Sequence, residues 1–250
     1  MDRATVLALL SRRVRGDRMF PFVEGTWNPV TGCLFLCEYC WARRMARRFG
    51  MDFSPRLHPE RLRRRFGPGT VVFVCDFGDL FGPWIPREWI EAVLSVVRGH
   101  PRTLFLLLTK NPGRYHEFAP LPSNALAGAT IETDLDDVGK RYSPRAPPVS
   151  QRLEALARLD HPHKFVSIEP VLRFSDPERF AERIAGIGVL AAAVGYDNHG
   201  LVAEEDQPSE EQLRALIEAL ERKGILVVPK TVRRRRAKRS HPSCRGARHR

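Results

Sequence analysis

The stretch TVVFVCDF (residues 70–77) is a short, unbroken apolar run that closes on a cysteine and an aspartate. A strand with one wet face alternates polar and apolar residues. A continuous run is covered on both faces, as in a parallel sheet. The same form recurs in TLFLLLTK (103–110), AGATIET (127–133), KFVSIEP (164–170), GVLAAAVGY (188–196) and GILVVPK (224–230). Helical patterns separate these runs. In SEEQLRALIEALERKG (209–224), Ser209 is a natural N-cap with Gln212 three residues on. Leu213, Leu216, Ile217 and Leu220 form one stripe, and Gly224 is a stop. Asp176 and Pro177 open another helix, and Ser150 and Pro86 open two more. With an earlier strand around Phe22 to Trp27, this is a βα repeat of six or seven strands. Right-handed crossovers make it an α/β fold, a TIM-barrel-like full or partial barrel.

At 250 residues one barrel domain is the default reading. The expected division is a basic N-terminal extension at 1–20, a barrel at 21–230 and a basic tail at 231–250. No apolar run reaches the roughly 18 residues of a membrane span. ATVLALL near the start lacks a cleavage site after it, so a reducing cytoplasm is expected. The net charge of +12 is uneven: residues 1–65 carry +8, residues 66–229 carry −6 and residues 230–250 carry +10. The tail has too few apolar residues to offset the entropy of ordering, so disorder is expected from about residue 233.

In a barrel of this kind chemistry sits at the carboxyl ends of the strands. Those positions hold Cys75, Asp76 and Asp79, then Thr109 and Lys110, Glu132 and Asp134, Glu169, Tyr196 and Asp197, and Lys230. Any one of them is explained by a strand meeting water, but their recurrence at successive ends favours a shared site.

TGCLFLCEYCWARRMARRF (31–49) holds three of the five cysteines, Cys33, Cys37 and Cys40, as C-x-x-x-C-x-x-C after the first strand. Cys75 reads as a buried strand thiol and Cys244 as a bystander in the tail. A disulfide would leave one of the three unpaired and conflicts with a reducing compartment. Structural zinc needs a fourth ligand, such as His58, from an unrelated spacing. A cubane iron–sulfur cluster held by three thiolates leaves its fourth iron open to an exogenous ligand.

The cysteine loop, with Tyr39 before its last cysteine, resembles that of the radical S-adenosylmethionine superfamily. TWNPVTGC (26–33), Trp41 and Ala42 after Cys40, GDLFGPWIP (78–86), LLTKNP (107–112), GATIET (128–133), SIEPVL (167–172) and VGYDNHG (194–200) narrow the likeness. Together they are similar to a phage and prokaryotic family of unknown function named after mycobacteriophage proteins. Many members of that family have a longer first cysteine spacing and Tyr at the position of Trp41. The resemblance implies a [4Fe-4S] cluster on Cys33, Cys37 and Cys40, with S-adenosylmethionine on its open iron. A 5′-deoxyadenosyl radical would then abstract hydrogen from a substrate. It implies that Asp79 receives the methionine ammonium, that Lys110 pairs with the S-adenosylmethionine carboxylate or a substrate anion, that Glu132 binds ribose hydroxyls, and that Glu169 binds ribose or substrate. Gly195 would let backbone approach the adenine. Cys75 or Tyr196 would supply a second hydrogen, and an unidentified electron donor would reduce the cluster.

WARRMARRF (41–49) places Trp41, Met45 and Phe49 on one helix face and Arg43, Arg44, Arg47 and Arg48 on others, and RLRRRF (61–66) adds four arginines. With the tail these can track a DNA or RNA backbone. They are equally readable as a solvated face beside a small-metabolite or peptide site, and salt dependence of binding separates the two. A zinc-stabilised nucleic-acid-binding protein without catalysis is the alternative reading of the whole chain.

Overall fold

The computed structural model describes residues 1–14 and 19–230. The basic tail with Cys244 lies outside them. The strands are β1 (Gly25–Trp27), β2 (Val30–Thr31), β3 (Arg56–Leu57), β4 (Val71–Val74), β5 (Leu104–Thr109), β6 (Ala125–Thr130), β7 (Lys164–Ile168), β8 (Ala191–Val194) and β9 (Leu226–Pro229). The helices are α1 (Arg3–Leu10), α2 (Trp41–Arg48), α3 (Arg87–Arg98), α4 (Asp136–Tyr142), α5 (Val149–Arg158), α6 (Pro177–Ala185) and α7 (Glu210–Arg222). Seven strands form one parallel sheet in the order β1-β4-β5-β6-β7-β8-β9, curled into a half-barrel, and β2 and β3 form a small antiparallel ribbon.

Both faces of the sheet are covered, which explains the unbroken apolar runs. Val72, Val74, Phe105, Leu107, Val166, Ile168, Ala192 and Val194 pack outward against α3, α5, α6 and α7. The alternate residues, Val71, Phe73, Leu104, Leu106, Leu126, Phe165, Ala191 and Ala193, point to the concave side. That side is filled by the N-terminal segment. Val6, Leu9 and Leu10 of α1 are buried there with Phe20, Phe22 and Val23. Phe165 meets the rings of Phe20 and Phe22 edge-on, at 5.4 and 5.8 Å between centroids. Within the stretch expected as a basic extension at 1–20, α1 buries Val6, Leu9 and Leu10 on this concave side.

Two of the arginines in RLRRRF have structural work. β1 is an edge strand whose carbonyls would otherwise face water. Arg64 Nη1 donates to Thr26 O at 2.7 Å and Arg61 Nη1 donates to Asn28 O at 2.8 Å. The helix caps follow the sequence: Ser209 and Gln212 form a capping box at α7, and Asp176 caps α6. Among the described residues no helix is long and apolar enough to cross a membrane.

Phe165→Ala would remove a ring from a packed interior with no room to collapse. A loss of about 3–5 kcal/mol of stability is expected, measured as a lower denaturant midpoint at unchanged slope.

Candidate active site

The carboxyl ends of the strands open on a cavity of about 410 Å³, within the range of small-molecule sites. Phe20 and Phe73 lie among its lining residues, so the N-terminal plug that fills the half-barrel also forms part of the cavity wall. Cys33, Cys37 and Cys40 all line it, together with Tyr39, Trp41, Cys75, Asp79, Lys110, Glu169, Tyr196 and Lys230.

The cysteine loop is held by close backbone approach. Gly32 has φ +88°, and a Cβ there would lie 2.3 Å from Ser54 O. Its amide donates to Phe77 O at 2.9 Å, and it bridges Gly78 in parallel. Asn28 fixes the same corner: its Nδ2 donates to Asp76 Oδ1 at 2.5 Å, and its Oδ1 accepts from Phe77 N at 2.9 Å. The loop ends where Cys40 becomes the N-cap of α2, its Sγ accepting the Arg43 N–H at 3.4 Å. Arg43 Nη2 also donates to Cys37 O at 2.8 Å.

Behind the loop lies a charged cluster that no local pattern announces. Glu132, fully buried, accepts Lys110 Nζ (2.7 Å) and Tyr39 OH (2.7 Å) on Oε1, and Arg152 Nη1 (2.7 Å) on Oε2. Lys110 Nζ also donates to Tyr39 OH at 2.6 Å. Burial by itself would raise the Glu132 carboxyl, but the combined pull of Arg152 and Lys110 outweighs it and holds the group well below the usual carboxylate range. Ser143 Oγ lies 3.3 Å from Glu132 Oε1, 3.1 Å from Tyr39 OH and 3.4 Å from Cys37 Sγ. Ser143 Oγ is therefore within donor reach of Cys37 Sγ as well as of Glu132 Oε1.

The structure places the expected residues in three settings. Asp79, Lys110, Glu169, Cys75 and Tyr196 line the cavity. Asp79 Oδ1 accepts from Thr109 Oγ1 (2.6 Å) and Phe81 N (3.1 Å), and Oδ2 accepts from Lys110 N (3.0 Å). About one of its four lone-pair sites is left, and burial raises its pKa despite these donors. Across the mouth, Glu169 Oε2 accepts Lys230 Nζ at 2.5 Å and Oε1 accepts Asn198 Nδ2 at 3.3 Å, while Lys230 Nζ sits 4.7 Å from the Phe20 ring centre. Glu132 stands behind the cavity wall rather than in it. Gly195 is also set back, its N–H given to Ile168 O (3.2 Å) and its carbonyl taken by Val171 N (2.7 Å).

Cys75 departs from the strand reading: β4 ends at Val74, and Cys75 has φ +58°. The left-handed turn, unusual for a residue with a Cβ, sets its thiol among the cavity-lining groups. Tyr196 is buried, and its hydroxyl donates to Pro208 O at 2.9 Å. Ser143, Arg152 and Asn198 escape sequence reading, because Ser143 lies 106 residues from the thiol it meets and only the fold joins them. His58 Nε2 bonds Thr31 Oγ1 at 2.9 Å, its Nδ1 is 3.5 Å from Glu60, and it does not line the cavity.

Among the described residues no three His, Cys, Asp or Glu side chains are gathered as ligands of a single metal ion. Three thiols around one cavity, not converged on one point, suit a cubane, in which each thiolate takes its own iron. Burial raises the Cys33 and Cys37 thiols, so bound metal has to supply the charge that ionises them. The residues present fit such a cluster.

Glu132→Gln is expected to cost about 3–5 kcal/mol, because two buried cations lose their anion. The depressed carboxyl contributes stability above its ordinary pKa of about 4.3 and loses it as pH falls from there toward the folded-state value. Denaturation followed from pH 6 to 2 should therefore fall less steeply in the variant. Gly32→Ala meets both a disfavoured φ and a backbone clash. It should bind less iron on anaerobic reconstitution, measured as iron per chain, at near-parental circular dichroism.

Comparison with solved structures reports the same fold. A mutant of spore photoproduct lyase superposes with TM-score 0.57 at 14% identity, over 91% of this chain and 84% of that one. A double mutant of that enzyme with bound AdoMet and dinucleoside spore photoproduct gives 0.51 at 12%, over 88% and 70%. A radical SAM methyltransferase from Sphaerobacter thermophilus gives 0.56 at 15%, over 85% and 67%. Identities this low speak for fold alone. Comparison with curated proteins finds no match. A family model does match, over residues 19–177, which span β1 through β7 and the whole cysteine loop: the chain belongs to the family described as Protein of unknown function (DUF5131).

Proposed function

We propose that the chain is a radical S-adenosylmethionine enzyme with a [4Fe-4S] cluster on Cys33, Cys37 and Cys40. One observation carries this reading: three thiols from a single loop line one cavity at the mouth of a parallel half-barrel. The neighbours described as a radical SAM methyltransferase and as AdoMet-bound support it. The phage-type family likeness of the TWNPVTGC, SIEP and related motifs belongs to the same reading. When bound, cluster and S-adenosylmethionine together supply a 5′-deoxyadenosyl radical for hydrogen abstraction, after one-electron reduction by a separate donor.

The chain's own residues bind, orient and exclude water. Lys110, which lines the cavity, uses two of its three donors on Tyr39 and Glu132 and has a third for a carboxylate. Asp79 offers its remaining lone pair to an ammonium. Glu169, with Asn198 and Lys230, suits hydroxyl groups on the far wall. Glu132 acts by holding Tyr39 and Lys110 in place, with no ligand contact. Cys75 is better placed than Tyr196 to return a hydrogen atom: its thiol, kept protonated by burial, lines the cavity, whereas the Tyr196 hydroxyl is given to Pro208. In that step the S–H bond breaks as a C–H bond forms on the substrate radical. The thiyl left behind is reduced by the electron donor with uptake of a proton.

Ser143 and the N-terminus of α2 each present a hydrogen-bond donor to a cluster sulfur, which stabilises the more negative reduced state. Ser143→Ala should lower the cluster potential by about 20–60 mV, the one-electron equivalent of about 0.5–1.5 kcal/mol, read by redox titration with the EPR signal of the reduced cluster. The function itself is tested by anaerobic reconstitution, reduction with S-adenosylmethionine present and chromatography for 5′-deoxyadenosine. Product from the parent and none from Cys37→Ala is expected. One tightly held zinc per chain, with no acid-labile sulfide, would overturn the reading in favour of a zinc-stabilised binding protein.

A further inference from the structure

The apolar stripe of WARRMARRF packs inward only at Trp41, whose ring meets Phe77. Ala42 and Ala46 are the buried residues of α2, and Met45 and Phe49 face water. Met45 is 43% exposed, Phe49 65% and Met51 52%, and these are the exposed large hydrophobic side chains of the described residues. Their confinement to seven consecutive positions marks a patch, because scattered exposed apolar residues are ordinary and clustered ones are not.

The patch is embedded in positive charge. Residues 41–65 hold nine arginines against Asp52 and Glu60. Glu60 lies beside His58 and Arg61, and Asp52 accepts the Ser54 amide. Arg44, Arg47 and Arg48 are exposed and form no salt bridge among the described residues, and the Arg48 guanidinium lies 5.7 Å from the Phe49 ring centre. The patch is also continuous with the cavity. α2 leaves from Cys40 and Trp41 and the chain returns through Phe53, all three lining the cavity, and the rings of Trp41 and Phe53 flank Phe77 at 5.8 and 5.3 Å.

We infer that the outer face of α2, through Met51, is a binding track for single-stranded nucleic acid, leading its bases to the cavity. Arginines supply phosphate contacts. Phe49, with Arg48 across it, supplies a face on which a base stacks, an arrangement tolerant of sequence. A duplex hides its base faces, so stacking of this kind selects a single strand or an extruded base. The track stands on surface geometry, and it rests on the radical reading only for what happens to a base that enters the cavity.

The test is fluorescence anisotropy of the full chain with a labelled mixed-sequence single-stranded 12-mer between 50 and 300 mM salt. Two variants, Arg44→Gln/Arg47→Gln/Arg48→Gln and Phe49→Ala, leave the C-terminal basic run as a common background. The triple variant should reduce the slope of log K against log salt by about 2, at roughly 0.7 per phosphate contact. Phe49→Ala should bind about tenfold more weakly at an unchanged slope. Parental affinity in Phe49→Ala, or a parental slope in the triple variant, overturns the proposal. So does tighter binding to anionic phosphatidylserine vesicles lost in Phe49→Ala, which would assign the face to a lipid surface. A parent chain that forms 5′-deoxyadenosine but shows no variant-sensitive oligonucleotide binding removes the track alone. Variant-sensitive binding without 5′-deoxyadenosine removes the radical reading alone.

Discussion

Glu132 stands at the end of β6 with no solvent contact and holds one cation on each carboxylate oxygen, Lys110 on one and Arg152 on the other. A buried ion group is a poor source of net stability but a strict one of geometry, since removing any member strands the others. Here the geometry reaches the cavity. Tyr39 and Ser143 share the Oε1 side of the cluster, and Ser143 meets Cys37. The carboxylate therefore ties β5, β6, α5 and the cysteine loop to a common point.

The cysteine loop needs a second restraint, because a short loop of free thiols has little to fold around. Backbone contact provides it. Gly32 admits the 53–54 backbone where any side chain would collide, and Asn28 joins the end of β1 to the turn after β4. Cys40 then serves two ends at once, as a candidate ligand and as the cap of α2, its sulfur accepting the Arg43 N–H. The outer surface of the same helix carries the exposed Arg44, Arg47 and Arg48 and Phe49. Cavity wall, cysteine loop and basic face thus follow one another along one segment.

The N-terminal segment shows how a half-barrel can do without full closure. Seven parallel strands leave a concave apolar face, and α1 with Phe20 and Phe22 covers its lower part. Phe20 also reaches the cavity, where Lys230 rests over its ring while bonded to Glu169. The far wall is thereby coupled to the plug.

The parallel sheet was legible from TVVFVCDF and its successors, because strands buried on two faces lose all alternation. The capped helices at Ser209 and Asp176 were legible because capping is local chemistry. The cysteine spacing and the polar residues at strand ends were also visible, since loop position and residue type are written in order along the chain. The contacts of Ser143 and Arg152, the retreat of Glu132 and Gly195 from the cavity, and the placing of Cys75 by a left-handed turn were not. Nor was the exchange on α2, where Ala42 and Ala46 pack and Met45 and Phe49 do not, or the use of Arg61 and Arg64 to seal an edge strand. Periodicity and motif report what each segment prefers by itself. Which side chains meet, and which face water, depends on how sheet curvature brings together residues that are far apart in sequence, and only the tertiary structure decides that.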